Sequence, residues 1–76
     1  MFESFDELLN YIKHNNSDIS INYDTSSTNL LVFNNKTEQI LFNQCLNYQV
    51  GEFKSTIEPL FQNLNCNVNY LGNSFS

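Results

Sequence analysis

Between Phe5 and Tyr23 the spacing of the apolar residues changes period, and that change constrains the fold more than any other feature of the chain. Phe5, Leu8, Leu9 and Ile12 recur at i, i+3, i+4 and i+7, the pattern of a helix with one apolar stripe. Ile19, Ile21 and Tyr23 then alternate with Ser20 and Asn22, as a strand with one buried face requires. A chain that opens this way must lay a helix on a sheet, because neither apolar face can be buried alone.

The helix ends are also marked. Ser4 and Glu7 make an S-x-x-E capping box, Asp6 and Glu7 suit the positive helix end, and Lys13 and His14 suit the negative one. Asn15-Asn16 is a stop signal, so the spacing predicts a helix over about residues 4–14.

Beyond the first strand, Asp24-Thr25-Ser26-Ser27-Thr28 reads as a turn and Leu30-Leu31-Val32-Phe33 as a short central strand, β-branched and aromatic in character. Asn34-Asn35-Lys36 is a hairpin signal, since Asn tolerates the left-handed backbone that such turns need. A third strand starts at Gln39, Ile40, Leu41 and Phe42 within residues 37–48 and can continue through Cys45 and Leu46, with a bulge or a break expected near Asn43 or Gln44. Gly51 punctuates before a second helical pattern in which Phe53, Ile57, Leu60, Phe61 and Leu64 share a face. Pro59 fits best in a first turn capped by Ser55 or Thr56, which predicts a helix over about residues 55–64. Val68 and Tyr70 alternate with Asn67 and Asn69 in a last strand ended by Gly72, and the tail from Asn73 to Ser76 is expected to fray.

The expected architecture is therefore α+β: a three- to four-stranded antiparallel sheet with two short helices on one face, in the order α-β-β-β-α-β. The final strand is added at an edge. Phe5, Leu9, Ile12, Ile21, Val32, Phe42, Ile57, Phe61 and Leu64 form the expected core.

With 76 residues there is room for one domain, residues 1–76, which buries only about 60% of its unfolded surface. Seven Phe and four Tyr are too many for a disordered acidic tail. Eight carboxylates face three lysines, with no arginine, for a net charge of -5. Lys13, Lys36 and Lys54 cannot supply the phosphate contacts and guanidinium forks that nucleic-acid binding draws on, and anionic membranes are disfavoured for the same reason. An acidic surface is attracted instead to a basic protein surface, although modest negative charge also serves plain solubility.

Met1 is followed by Phe2, Glu3 and Ser4, with no positive n-region and no long apolar stretch, so the expectation is a cytoplasmic protein without signal peptide or membrane span. Cys45 and Cys66 match no metal-site spacing and are expected to be reduced and at least partly buried. The triplets Asn15-Asn16-Ser17 and Asn35-Lys36-Thr37 then reflect an Asn-rich composition and not glycosylation.

No catalytic, cofactor-binding or metal-binding constellation is legible, and the chain is not expected to be an enzyme. His14 is the only histidine, and its place at a helix end suits a charge-complementing role better than that of a base for Cys45, Cys66 or a serine. Glu3, Asp6 and Glu7 belong to one exposed helix start, and the other acids are scattered. Two glycines leave no phosphate cradle. Asn63, Asn65, Asn67 and Asn69 could present a polar strand face, most simply as protection of a sheet edge. Tyr11, Tyr48 and Tyr70 fall off the apolar stripe or near strand ends and are candidates for an interface, where tyrosine is enriched; half-buried core packing is the competing reading.

In size, charge, Asn-rich composition and the order helix, three-strand meander, helix, the chain resembles the small acidic anti-defence proteins of phages and mobile elements, anti-CRISPR proteins among them. Some of that group imitate nucleic acid in a nuclease's basic channel. The resemblance implies a stoichiometric inhibitor with Glu3, Asp6, Glu7, Asp18 and Asp24 as its acidic cluster. A charge of -5 is small for a phosphate mimic, so docking through the tyrosines or through a homodimer is equally open. A self-associating or subunit-type module is the alternative.

Overall fold

The chain is described by a computed structural model covering residues 1–15 and 18–72. Asn16 of the helix stop, Ser17 of the first triplet and the tail from Asn73 to Ser76 lie outside the described residues.

The first helix, α1, is Phe5–His14. Ser4 occupies the N-cap with an extended backbone, yet its side chain makes no cap hydrogen bond, so the expected capping box does not form. At the other end, side-chain donors meet the last carbonyls: His14 Nδ1 lies 2.9 Å from Asn10 O, and Asn15 Nδ2 donates to Tyr11 O at 3.2 Å. The strands are β1 (Ile19–Asp24), β2 (Asn29–Asn34), β3 (Gln39–Cys45) and β4 (Val68–Leu71), arranged β3-β2-β1-β4.

Two hairpins make β1, β2 and β3 an antiparallel meander. The second is closed by Asn34, whose Oδ1 accepts the amides of Lys36 at 2.9 Å and Thr37 at 3.1 Å while Nδ2 donates to Tyr11 Oη at 3.3 Å. These bonds let an amide side chain sit buried in the domain. The irregularity in β3 comes earlier than Asn43: Val32 faces Phe42 and Phe33 faces Ile40, which leaves Leu41 as the extra residue. A bulge suspends the strict alternation, so Leu41 and Phe42 are both buried.

The expectation of a wholly antiparallel sheet fails at β4, which pairs parallel to β1. The connection from β3 passes through helical turns instead of a hairpin, so the chain can re-enter the sheet in either direction. Those turns form two helices where one was expected, α2 (Val50–Thr56) and α3 (Glu58–Gln62). Pro59 at the start of α3 offers no amide to a continuous helix, and its ring would collide with the preceding turn. Ser55 Oγ and Thr56 Oγ1 therefore do not cap α3; both donate back to Glu52 O, at 3.2 and 2.5 Å. Gly51 lies inside α2, not ahead of it.

The core sits between the helices and one face of the sheet. Ile12, Ile21, Val32, Phe42 and Phe61 are buried as expected, joined by Leu8, Tyr23, Leu30, Leu41, Phe53 and Cys66. Phe5, Leu9, Ile57 and Leu64 are only partly buried and pack around this centre. Phe5 meets Phe42 and Phe61 edge-on at 6.0 and 5.7 Å. Phe53 stacks on Tyr23 at 3.9 Å, and Tyr70 closes the group edge-on to both rings. Leu60, expected on the shared apolar face, is 38% exposed, whereas Phe53 and Phe61 of the same pattern are buried.

Candidate interaction surface

The five carboxylates do not form one cluster. Glu3, Asp6 and Glu7 are exposed around the start of α1, whereas Asp18 precedes β1 and Asp24 ends it, with the strand's length of about 16 Å from Ile19 to Asp24 between them. Asp24 is partly buried and shapes the backbone beside it. Its Oδ1 accepts the amides of Ser26 at 2.8 Å and Ser27 at 3.3 Å, fixing the turn into β2.

The tyrosines are half-buried and committed to packing. Tyr11 lies against Phe2 at 5.3 Å and accepts the Asn34 amide. Tyr48 offers its backbone carbonyl to the Tyr23 hydroxyl. Tyr70 donates its hydroxyl to the Glu58 carboxylate, with the Lys54 ammonium 4.9 Å from its ring centre. Burial and the Glu58 carboxylate push the Tyr70 hydroxyl well above the ordinary tyrosine value; burial raises Tyr23 too, against the opposing hydrogen bond to Tyr48.

The cysteines are both free but differ in surroundings. Cys66 is buried, and burial pushes its thiol up. Cys45, expected to be at least partly buried, is exposed because it faces away from the helices at the end of β3. Its sulfur lies 3.2 Å from Thr28 Oγ1 and 3.4 Å from both Ser27 O and Asn47 Oδ1. His14 is engaged with Asn10 at the end of α1 and is not among those neighbours. Among the described residues no group of three or more His, Cys, Asp or Glu side chains is placed to hold a metal ion, and no helix is long and apolar enough to cross a membrane.

All three helices lie on one side of the sheet, so the register defines what the other side presents. Three rows cross it: Ser20, Phe33 and Ile40; then Asn69, Asn22, Leu31 and Asn43; then Leu71, Asp24, Asn29 and Cys45. Amides hold neighbouring strands together, with Asn29 Nδ2 donating to Asn43 Oδ1 at 2.7 Å and Asn69 Nδ2 to Asn22 Oδ1 at 3.4 Å. Between them stand apolar side chains that the helices do not cover: Ile40 is 45% exposed and Leu71 49%, while Leu31 and Phe33 are half-buried. None of the three lysines is on this face, since Lys13 and Lys54 belong to α1 and α2 and Lys36 to the hairpin turn. A depression of about 330 Å³ opens on it, lined by Asn22, Asp24, Ser27, Asn29, Leu31, Cys45 and Leu71.

Of the acidic and tyrosine candidates for an interface, only Asp24 belongs to this face; Asn69, expected on a polar strand face, and Cys45 share it. The missed signal was the β2 run, whose two apolar faces need two covering layers when one helical layer is all the chain can supply. Compared with known proteins, the chain matches no family model, no curated protein and no solved structure.

Proposed function

We propose that the protein is a non-enzymatic cytoplasmic inhibitor that works by occupying a basic surface of a protein target. A host-defence nuclease or effector complex of the CRISPR-Cas kind, countered by a phage or mobile element, is the target class that suits its size and charge. The observation that supports this reading is the helix-free face of the sheet, where uncovered leucine, isoleucine and phenylalanine side chains stand among amides, with a carboxylate and no lysine. Mixed apolar and hydrogen-bonding surface is what protein interfaces use, and the net charge of -5 favours encounter with a basic partner.

The separation of the carboxylates favours docking by this face over imitation of a phosphate chain, which would need them in a row. The test is an affinity pull-down from bacterial lysate at low and high salt, followed by an activity assay on whatever is retained. A salt-sensitive complex whose activity falls in proportion to added protein is the expected result. Retained partners that stay fully active, or recovery of the protein alone, would overturn the proposal; the latter would favour self-pairing, for which β4, with one sheet neighbour, offers an edge.

A further inference from the structure

We infer that the depression on the helix-free face is a receptor for an arginine side chain of the protein partner. The inference rests on the reading of the molecule as a binder of basic protein surfaces and names the point of contact. The depression has the two parts such a side chain requires. Leu31 and Leu71 supply apolar wall for the methylene stem, and Asp24 supplies the single carboxylate for the head.

The carboxylate is held in place before any partner arrives. Its Oδ1 is tethered by the amides of Ser26 and Ser27, and no hydrogen bond among the described residues takes Oδ2. Asn29 adds a second acceptor: its amide donor is spent on Asn43 Oδ1, which leaves its own Oδ1 for an incoming N–H. A guanidinium has five donors in a planar fork and can serve Asp24 and Asn29 together, which the compact ammonium of lysine does less well. It is also the more weakly hydrated cation, so desolvation against Leu31 and Leu71 costs it less.

Charge points to the same occupant. The lining contains one acid and no base, and the lysines lie on the helices and the hairpin turn, where they do not neutralise Asp24. The face does not suit a second copy of the chain, because two molecules of charge -5 would meet with no arginine to offer. At about 330 Å³ the depression is at the small end of ligand sites, in keeping with one side chain and not a cofactor.

The experiment is a titration of the isotope-labelled full chain with a capped oligo-arginine peptide, followed by amide and methyl chemical shifts. The neutral citrulline peptide of the same length serves as control. Saturable shifts at Asp24, Asn29, Leu31 and Leu71 are expected with the arginine peptide and not with citrulline. Asp24→Asn keeps an oxygen for the Ser26 and Ser27 amides but removes the charge, and it should weaken binding about three- to tenfold. Leu71→Ala trims an exposed wall without touching the core and should weaken binding by a smaller factor. Shifts confined to Glu3, Asp6 and Glu7, or binding indifferent to Asp24→Asn, would overturn the receptor while leaving the basic-partner reading standing. Equal behaviour of the arginine and citrulline peptides would remove both.

Discussion

Replacing Phe53 by alanine should unfold much of the population under mild denaturant, while the same truncation at Leu60 should pass almost unnoticed. In sequence the two residues belong to one apolar helical pattern, so the pattern alone predicts similar costs. In the structure Phe53 is fully buried, stacked at 3.9 Å on Tyr23 and edge-on to Tyr70, whereas Leu60 is 38% exposed. Truncating a buried phenylalanine costs about 3–5 kcal/mol, the loss of the ring contacts included. At about 0.05–0.15 kcal/mol per residue, 76 residues hold only about 4–11 kcal/mol in total, so one ring accounts for a large share. The Leu60 truncation should stay within about 0.5 kcal/mol. Urea unfolding followed by far-ultraviolet circular dichroism measures both, and with a slope of about 1 kcal/mol/M a loss of 3–5 kcal/mol lowers the midpoint by about 3–5 M. Equal midpoints for the two variants, or a Phe53→Ala cost below about 1 kcal/mol, would refute the placement of Phe53 in the core and of Leu60 at its exposed margin.

Gly72→Ala should destabilise the domain by at least about 1 kcal/mol, because φ is +99° and a Cβ there would lie 2.6 Å from Ser26 Oγ and 2.9 Å from the Ser26 backbone nitrogen; the urea midpoint checks it. Asn34→Ala should cost about 1–3 kcal/mol by removing the buried amide that closes the β2–β3 turn, and a wild-type midpoint would contradict this role. In native protein a maleimide should label Cys45 quickly and Cys66 only on unfolding, as mass spectrometry of the labelled peptides would show. Stability should begin to fall above about pH 9, where the unfolded Cys66 thiol ionises while the buried one does not, and fall more steeply above about pH 10, where unfolded tyrosines ionise. The sign follows because Tyr23 and Tyr70 keep their protons in the folded state after the unfolded chain has lost them. Tyr70→Phe should flatten that fall, and an unchanged slope would remove Tyr70 as its cause.

The α1 helix, the three-strand meander and part of the core (Ile12, Ile21, Val32, Phe42 and Phe61) were legible from residue order, because each is a local pattern: a period of 3.6 in Phe5 to Ile12, a period of 2 in Ile19 to Tyr23, and an Asn-rich turn at Asn34. Pro59 was legible as a disturbance, though not that the helix would divide there. Strand direction and helix coverage are not local properties, and they were settled by the packed molecule. Val68 to Leu71 reads as a strand either way, but whether it runs parallel to β1 depends on the path the chain takes through α2 and α3. Leu41 and Cys45 changed environment because one bulge in β3 and the facing of its end set which side each side chain takes. The candidate surface was hidden for the same reason. Asn22, Asp24, Asn29, Leu31, Cys45 and Leu71 come from four different strands, and only the register of the sheet brings them together on the face the helices leave open.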